Sequence, residues 1–246
     1  MKILCAGDSL TRASVSGDYV GMLSERLPHA VVVNAGVNYE PGAVLAARIP
    51  GLVAEHHPDL VTVLTGTNDL RAQLDDRDRT ALRKRWALTA DPTPDAYRAV
   101  LTTIVRGTGK RTGLLSPPVL GEDLDSGANR LAAEFAAIAR AVAADEGVTY
   151  LPLFERTAAV LRDTGPRPGA AYRPGVMYAA RAAMRHFVLR QSFDAISRSR
   201  GLLLSTDGVH LNSRGAAIVA DLVEDFVRDD RPYLRGISGS GSRSSQ

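Results

Sequence analysis

Three residues whose types can together carry out acyl transfer lie near opposite ends of the sequence. Ser9 follows a short apolar run, and Asp207 and His210 lie three residues apart late in the chain. A serine hydroxyl becomes a nucleophile when a histidine takes its proton, and a carboxylate on the other ring nitrogen keeps that histidine in the required tautomer. We therefore predict that Ser9 is the nucleophile, His210 the general base and Asp207 the residue that orients the base.

The same chemistry needs hydrogen-bond donors for the oxyanion that forms when a carbonyl group is attacked. Two further motifs supply candidates, Gly36 in Asn-Ala-Gly and Asn68 in Gly-Thr-Asn-Asp. We predict that the backbone N–H groups of Ser9 and Gly36 and the side-chain amide of Asn68 form the oxyanion hole. Gly36 suits this role because a missing side chain lets a substrate oxygen approach its backbone.

Each of the first three motifs begins where a predicted β-strand ends. The predicted strands are short apolar runs bounded by Gly, Asn or Pro, and the middle three are rich in Val and Leu. They cover residues 2–6, 30–34, 60–65, 111–116 and 149–151. Ligands of an open parallel sheet bind beyond the carboxyl ends of its strands, so we expect these motifs to meet in one crevice.

Helical patterns alternate with the strands. Apolar residues recur at spacings of three and four in residues 19–27, 42–56, 94–106 and 127–146. A later helix is predicted over residues 212–227, with Asn212 as its cap. Apolar strands that alternate with helices indicate a parallel sheet covered on both faces. The predicted fold class is α/β, with the architecture of a three-layer α/β/α sandwich.

The four motifs, taken in order, resemble the four sequence blocks of the SGNH or GDSL hydrolase family. They read Gly7-Asp8-Ser9-Leu10, Gly36, Gly66-Thr67-Asn68-Asp69 and Asp207-Gly208-Val209-His210. The family's four letters correspond here to Ser9, Gly36, Asn68 and His210. One block alone occurs by chance, whereas all four in order at the ends of elements make a specific match. The resemblance spans residue 1 to about residue 228.

This resemblance implies a flavodoxin-like, five-stranded parallel sheet in the order 2-1-3-4-5, with no metal and no organic cofactor. It also implies a serine-dependent ester hydrolase of the carboxylesterase, lipase or deacetylase type, working through an acyl-enzyme. The expected partner is a small or medium acyl-ester substrate. Two alternatives stay open: an acyltransferase that uses the same triad, and a catalytically silent binding module on the same fold.

Two features depart from the family pattern. Thr11 follows Leu10, so the Gly-x-Ser-x-Gly motif of α/β-hydrolases is missing around Ser9. An arginine-rich, partly helical insert covers residues 165–200, and we expect a continuous helix over residues 176–200. It is interpreted as a packed structural insert, as a lid or acyl-pocket wall, or as a basic surface for an anionic partner or membrane headgroups.

The positive charge of the chain is concentrated in this insert. The sequence has 30 basic and 27 acidic residues and a formal net charge of +3. Seven arginines against Asp194 alone give the insert +6, which leaves −3 for the remainder. Because the overall excess is small, we expect no nucleic-acid partner.

Several residues near the motifs are interpreted as structural. Asp8 and Asp69 are expected to accept hydrogen bonds that hold neighbouring loops. The charged residues 70–91 are expected to form a solvated helix or loop. Trp86 in that segment is expected to pack in the core or at an interface, with substrate contact as the alternative, and Cys5 to be a small buried apolar residue.

Composition sets the remaining expectations. The 246 residues are 45% hydrophobic and 23% charged, as in a globular protein, and contain no apolar run long enough for a transmembrane segment. The only cysteine excludes an internal disulfide, and the apolar run before Gly7 is too short for a signal peptide, so we expect a cytoplasmic protein. We predict one domain over residues 1–231 and a flexible C-terminal tail over residues 232–246. The oligomeric state stays open.

Overall fold

A parallel β-sheet forms the centre of the computed structural model, which describes residues 1–166, 170–175 and 177–229. Its strands within these residues are β1 (Lys2–Gly7), β2 (Val31–Gly36), β3 (Leu60–Leu64), β4 (Arg111–Leu115) and β5 (Thr149–Leu151). Their order is β2-β1-β3-β4-β5, and all neighbouring strands are parallel. The predicted fold class and strand order are confirmed.

The register of the sheet aligns the carboxyl ends of its first three strands. Gly7 at the end of β1 pairs with Gly36 on one side and with Leu64 on the other. Every residue of β3 is buried, which is typical of an apolar strand covered on both faces. The residues that directly follow β1, β2 and β3 therefore meet at one edge of the sheet, called here the carboxyl edge.

Helices cover both faces of the sheet. In the described part of the chain they are α1 (Ser9–Arg12), α2 (Tyr19–Arg26), α3 (Gly42–His56), α4 (Thr67–Leu74), α5 (Asp76–Trp86), α6 (Pro94–Thr108), α7 (Gly127–Asp145), α8 (Leu153–Thr164), α9 (Met177–Phe187), α10 (Phe193–Ser199) and α11 (Ser213–Arg228). The apolar sides of α3, α6 and α7 pack on one face, and those of α2 and α11 on the other. The predicted helices agree with these bounds to within two residues, except in the insert.

A buried apolar core on each face holds the three layers together. On one face Tyr97 of α6 stacks on Phe135 of α7, with ring centroids 4.5 Å apart. On the other, Leu23 of α2 and Val223 of α11 are fully buried. Burial of each such side chain contributes about 1.5 to 3 kcal/mol to the free energy of folding. The sheet is therefore a stable support for the residues at its edge. None of the described helices is both long and apolar enough to cross a bilayer.

The insert contains two helices where the sequence predicts one. Between α9 and α10, Arg190 adopts a left-handed backbone conformation with φ of 52°. The Ser192 hydroxyl then caps α10 by accepting the Ala195 N–H at 3.2 Å. The prediction of one helix over residues 176–200 is therefore wrong, because a left-handed turn and a new cap interrupt it. Residue 176 and the predicted tail, residues 232–246, lie outside the described residues.

The charged residues 70–91 form the end of α4 and all of α5. Asp75 caps α5, since its Oδ1 accepts the N–H groups of Arg77 and Asp78 at 2.9 and 3.0 Å. The segment is less solvated than expected, because Arg71 and Asp78 are buried. Trp86 is half-buried, and its indole N–H donates to the loop that follows β2.

Candidate active site

Ser9 is the first residue of α1, directly beyond β1. The chain turns sharply here because Asp8 caps the helix, its Oδ1 accepting the Leu10 N–H at 2.9 Å. Gly7 permits this turn, since a side chain there would collide with Thr11 and with the backbone of β3. The turn leaves Ser9 at the carboxyl edge with 8% of its surface exposed.

His210 and Asp207 lie within hydrogen-bond reach of this serine. Ser9 Oγ is 3.2 Å from His210 Nε2, and His210 Nδ1 is 2.8 Å from Asp207 Oδ2. The N–H group at Nδ1 donates a hydrogen bond to Asp207. The lone pair of Nε2 can then accept a hydrogen bond from the serine hydroxyl. The structure thus brings together the three residues that the sequence predicts for acyl transfer.

Both oxygens of the Asp207 carboxylate are held. Oδ1 accepts the backbone N–H groups of Val209 and His210 at 3.0 and 2.8 Å, and Oδ2 faces the imidazole. Burial raises the pKa of Asp207, but the nearby His210 and these hydrogen bonds outweigh it, and the pKa lies below its ordinary value. Asp207 is therefore ionised at neutral pH and can stabilise a protonated imidazole.

A buried glutamate holds the loop that carries the base, residues 203–212. Glu122 follows β4, and its Oε1 accepts the Leu204 N–H at 2.8 Å and the N–H and hydroxyl of Ser205 at 2.9 and 3.0 Å. Its Oε2 accepts the Leu203 N–H at 2.6 Å. One carboxylate thus fixes three consecutive residues of this loop. The sequence analysis missed Glu122, because its partners are more than 80 positions away.

Asn68 lies at the start of α4, beyond the carboxyl end of β3. Its Nδ2 donates to the Glu40 carbonyl at 3.1 Å and lies 3.5 Å from Asp8 Oδ2. Its Oδ1 accepts from the Arg71 guanidinium at 3.4 Å. Because an arginine can only donate, this contact directs the amide NH₂ group away from Arg71 and towards Asp8, the neighbour of Ser9.

Gly36 lies at the carboxyl edge, but its N–H already has an acceptor. It donates to Asn34 Oδ1 at 3.0 Å, while Asn34 Nδ2 donates to the Thr11 carbonyl at 2.8 Å. A side chain at position 36 would collide with the backbone of Arg12. Glycine at this position therefore lets β2 pack closely against α1, and its role as an oxyanion donor stays a prediction.

Side-chain contacts fix the loop of residues 37–41. Glu40 is buried and forms a two-bond ion pair with Arg48, at 2.6 and 2.7 Å. The Trp86 indole donates to the Tyr39 carbonyl at 2.7 Å. Tyr39 has a left-handed backbone with φ of 61°, which is unfavourable for a residue with a side chain. The sequence analysis missed Glu40 and Arg48, because no regular period brings residues eight positions apart together.

Two buried aspartates act as acceptors beneath the site. Asp8 caps α1, and Asp69 accepts the Gly42 N–H at 3.0 Å. Burial raises the pKa of Asp8 to about 7 and that of Asp69 to about 6, although backbone hydrogen bonds lower both in part. Both aspartates hold neighbouring loops, as the sequence predicts.

Arg71 connects the site to the insert. Its guanidinium donates to Asp78 Oδ2 at 2.9 Å and to the Tyr172 hydroxyl at 3.0 Å. The Tyr172 hydroxyl lies 3.3 Å from the same Asp78 oxygen. The sequence analysis missed Arg71, because a run of charged residues usually marks a solvated surface.

The described ranges contain no group of three or more His, Cys, Asp or Glu side chains that could hold a metal ion. The Cys5 thiol is buried in β1, and burial raises its pKa to about 11, so it stays protonated. This agrees with its interpretation as a small buried residue. The groups that the carboxyl edge offers are a hydroxyl, an imidazole held by a carboxylate, and N–H donors.

A parallel sheet in the order 2-1-3-4-5, flanked by helices on both faces, has the fold of the SGNH hydrolases. The sequence matches the GDSL-like lipase/acylhydrolase family over residues 5–218, and the chain belongs to this family. It is a hydrolase of ester bonds.

Solved structures of acetylxylan esterases share this fold. Axe2, an acetylxylan esterase from Geobacillus stearothermophilus, has a TM-score of 0.65 and 20% identity, over 96% of each chain. The acetyl xylan esterase AlAXEase has a TM-score of 0.65 and 19% identity, over 92% of this chain and 100% of its own. Among curated proteins, none matches the chain.

Proposed function

We propose that this protein hydrolyses carboxylic esters through an acyl-enzyme formed on Ser9. The observation that carries the proposal is the continuous chain of hydrogen bonds from Ser9 Oγ to His210 Nε2 and from His210 Nδ1 to Asp207 Oδ2. This order of groups is the one that nucleophilic serine catalysis requires. Asp207 is the orienting group and does not itself take up the proton.

In the first half-reaction, Ser9 Oγ attacks the ester carbonyl while His210 Nε2 takes the hydroxyl proton. The tetrahedral intermediate then collapses, the bond to the leaving oxygen breaks, and His210 returns the proton to the departing alcohol. The products of this half-reaction are an alcohol and an acyl group esterified to Ser9.

In the second half-reaction, water takes the place of the alcohol. His210 removes a proton from the water, and the hydroxide attacks the acyl carbonyl. Collapse of the second intermediate breaks the bond to Ser9 Oγ, which regains its proton from His210. The carboxylic acid leaves, and the enzyme returns to its starting state.

The Ser9 N–H and the Asn68 amide are the proposed donors to the oxyanion. Ser9 is in the first turn of α1, where backbone N–H groups have no partner within the helix. The Asn68 amide points away from Arg71 towards Asp8, and it can donate to the oxyanion when it releases the Glu40 carbonyl. Gly36 remains the third expected donor, and it can act when the Asn34 side chain releases its N–H.

Short acyl groups, with acetyl the first choice, are the proposed substrates. Burial of both Ser9 and His210 supports a small or medium acyl group, and the two solved structures of the same fold, Axe2 and AlAXEase, are acetylxylan esterases. We further propose that residues 1–231 form one domain, since α11, late in the chain, packs against the sheet that contains β1. A cytoplasmic location is also proposed, because a chain with Cys5 as its only cysteine requires no oxidising compartment for an internal disulfide.

The test compares Ser9→Ala with the wild type on p-nitrophenyl acetate. We expect kcat to fall on the order of 10⁴ to 10⁶ fold, as in other serine hydrolases that lose their nucleophile. Ser24→Ala is the matched control, since its hydroxyl only donates to Val20 within α2. Unchanged turnover in Ser9→Ala would contradict the proposal.

A fluorophosphonate probe and product analysis separate the alternatives. Labelling of the wild type but not of Ser9→Ala is expected, and a binding module would label in neither. With an added acceptor alcohol, free acid as the dominant product supports hydrolysis. A dominant new ester would identify an acyltransferase.

A further inference from the structure

Large apolar side chains are exposed together at one end of the insert. The described part of the chain has six strongly exposed large apolar residues, and four of them lie between positions 184 and 189. These four are called here the apolar tip: Met184, Phe187, Val188 and Leu189, each between 57% and 70% exposed. Scattered exposed apolar residues are normal, whereas a cluster marks a contact surface.

The apolar tip lies on one side of a helical hairpin. Met184, Phe187 and Val188 are three and four positions apart, and the Val188 N–H donates to the Met184 carbonyl at 2.9 Å. They therefore share one helical face. Leu189 follows in the turn between α9 and α10.

Contacts between α9 and α10 hold the hairpin in this conformation. Arg185 donates to the Gln191 side-chain carbonyl at 2.8 Å and to the Ser199 hydroxyl at 2.9 Å. The His186 ring stacks on Phe193, with centroids 4.0 Å apart. These contacts hold the turn between the two helices in place. The tip is therefore exposed in the folded hairpin, and not because the end of α9 has unwound.

The hairpin that carries the apolar tip also carries exposed positive charge. Arg181, Arg190 and Arg198 are exposed. Asp194 is the only acidic residue in sequence positions 165–200, and it accepts the Ser213 N–H at 3.0 Å. Apolar side chains next to arginines match a surface with anionic groups over an apolar layer. A symmetric contact with a second copy would bring these arginines together, so charge disfavours a dimer through this face.

We propose that the α9–α10 hairpin docks the protein on an anionic phospholipid surface. The apolar tip enters the boundary between headgroups and acyl chains, and the arginines bind lipid phosphates, for which the guanidinium group is well suited. The inference concerns membrane contact and does not depend on the proposed ester hydrolysis.

The hairpin is attached directly to the loop that carries His210. Arg200, just after α10, donates to the Thr206 carbonyl at 2.9 Å and to the Tyr178 carbonyl of α9 at 3.2 Å. Its guanidinium also lies 4.0 Å from the centre of the Tyr178 ring. The base of the hairpin, where Tyr178 and Arg200 lie, therefore contacts the loop that carries His210, whereas the apolar tip lies at the other end of the hairpin.

The test is co-sedimentation of the full chain with vesicles of phosphatidylcholine alone or mixed with phosphatidylglycerol. We expect binding to the anionic vesicles and little to the neutral ones. Phe187→Ser combined with Leu189→Ser should weaken binding at least about 10-fold through lost apolar burial. Arg181→Gln combined with Arg190→Gln should weaken it about 30-fold, since each of the two basic residues contributes on the order of 1 kcal/mol near an anionic membrane.

Matched controls are Val31→Ser, an exposed apolar residue on β2, and Arg77→Gln, an exposed arginine on α5. Both should bind like the wild type, as should Ser9→Ala, which separates this inference from the proposed function. Thermal unfolding checks that each variant is folded. Equal binding to both vesicle types, absence of binding, or tip variants that bind normally would overturn the proposal. So would a dimer in solution that the tip variants dissociate, because the occupant would then be a second copy.

Discussion

The carboxyl edge of the sheet and the α9–α10 hairpin differ in the burial of their charged side chains. At the edge, Glu122 and Glu40 are buried, and each carboxylate meets specific donors at short distances. In the hairpin, Arg181 and Arg190 face solvent beside exposed apolar residues. At the edge, the charged side chains are paired within the molecule. In the hairpin, exposed side chains can contact another molecule or surface.

This difference predicts where substitutions act. A buried charge that loses its partner costs several kcal/mol, whereas most surface substitutions change stability by about 0.5 kcal/mol or less. Variants at the edge should therefore affect turnover and stability, and variants in the hairpin should affect association with other surfaces. The following pairs compare one residue of the edge with a similar residue elsewhere.

The largest difference is expected between Asp207→Asn and Asp194→Asn. Both carboxylates accept backbone N–H groups, but only Asp207 also binds the His210 ring. Asp207→Asn should lower kcat by about 10⁴, because the histidine loses its required tautomer. Asp194→Asn in the hairpin should leave kcat nearly unchanged. Steady-state kinetics on p-nitrophenyl acetate measure both, and similar losses would show that the hairpin takes part in catalysis.

The next effect is expected for Asn68→Ala. Loss of one oxyanion donor lowers kcat by about 10² to 10³ in comparable enzymes. KM should change little, because the donor acts mainly on the tetrahedral intermediate. The control is Asn38→Ala, an exposed asparagine in the loop after β2. A rise in KM with unchanged kcat would instead assign Asn68 to substrate binding.

A smaller effect is expected for Glu122→Gln. The amide keeps the shape of the side chain but places an NH₂ group against the N–H donors of residues 203–205. Unfolding in urea should show a loss of about 1 to 3 kcal/mol, together with a lower kcat. Glu134→Gln on the exposed side of α7 is the control. A wild-type value for both quantities would mean that the loop is held without this carboxylate.

The last effect concerns the pH dependence of stability and not turnover. Burial raises the pKa of Asp8 from 3.8 to about 7, so the folded state binds a proton that the unfolded state releases. The stabilising contribution of this proton is present below pH 3.8 and is lost as the pH rises to about 7. Asp8→Asn keeps an N-cap acceptor and should remove this part of the slope. Urea unfolding across that range measures it, with Asp18→Asn, at the exposed cap of α2, as control.

The sequence predicts the fold well because the strands and helices have clear apolar periods. Parallel strands align their carboxyl ends, so motifs that follow separate strands must meet at one edge. Ser9, Gly36 and Asn68 are predicted at this edge in this way, whereas His210 is predicted from its spacing to Asp207. The residues that hold the site in place are not predicted, because Glu122, Arg48 and Arg71 meet their partners only in the folded chain.

The insert is where the sequence pattern misleads. Its apolar stripe continues through Val188, which favours one long helix, while the left-handed turn at Arg190 has no reliable sequence signal. Ser192 is the one signal that could have been used, since serine is a common N-cap. For Gly36, the sequence indicates that a small residue is needed but not that Asn34 binds its N–H.

The separation of 201 positions between Ser9 and His210 has a consequence for protein synthesis. In the proposed mechanism, a growing chain presents the nucleophile early, and the histidine that activates it is added 201 positions later. Until residues 203–212 have emerged and closed over the sheet, Ser9 would be an ordinary alcohol. Esterase activity through this pair would therefore require long-range closure of the fold, and a chain shorter than this would be harmless to the esters around it.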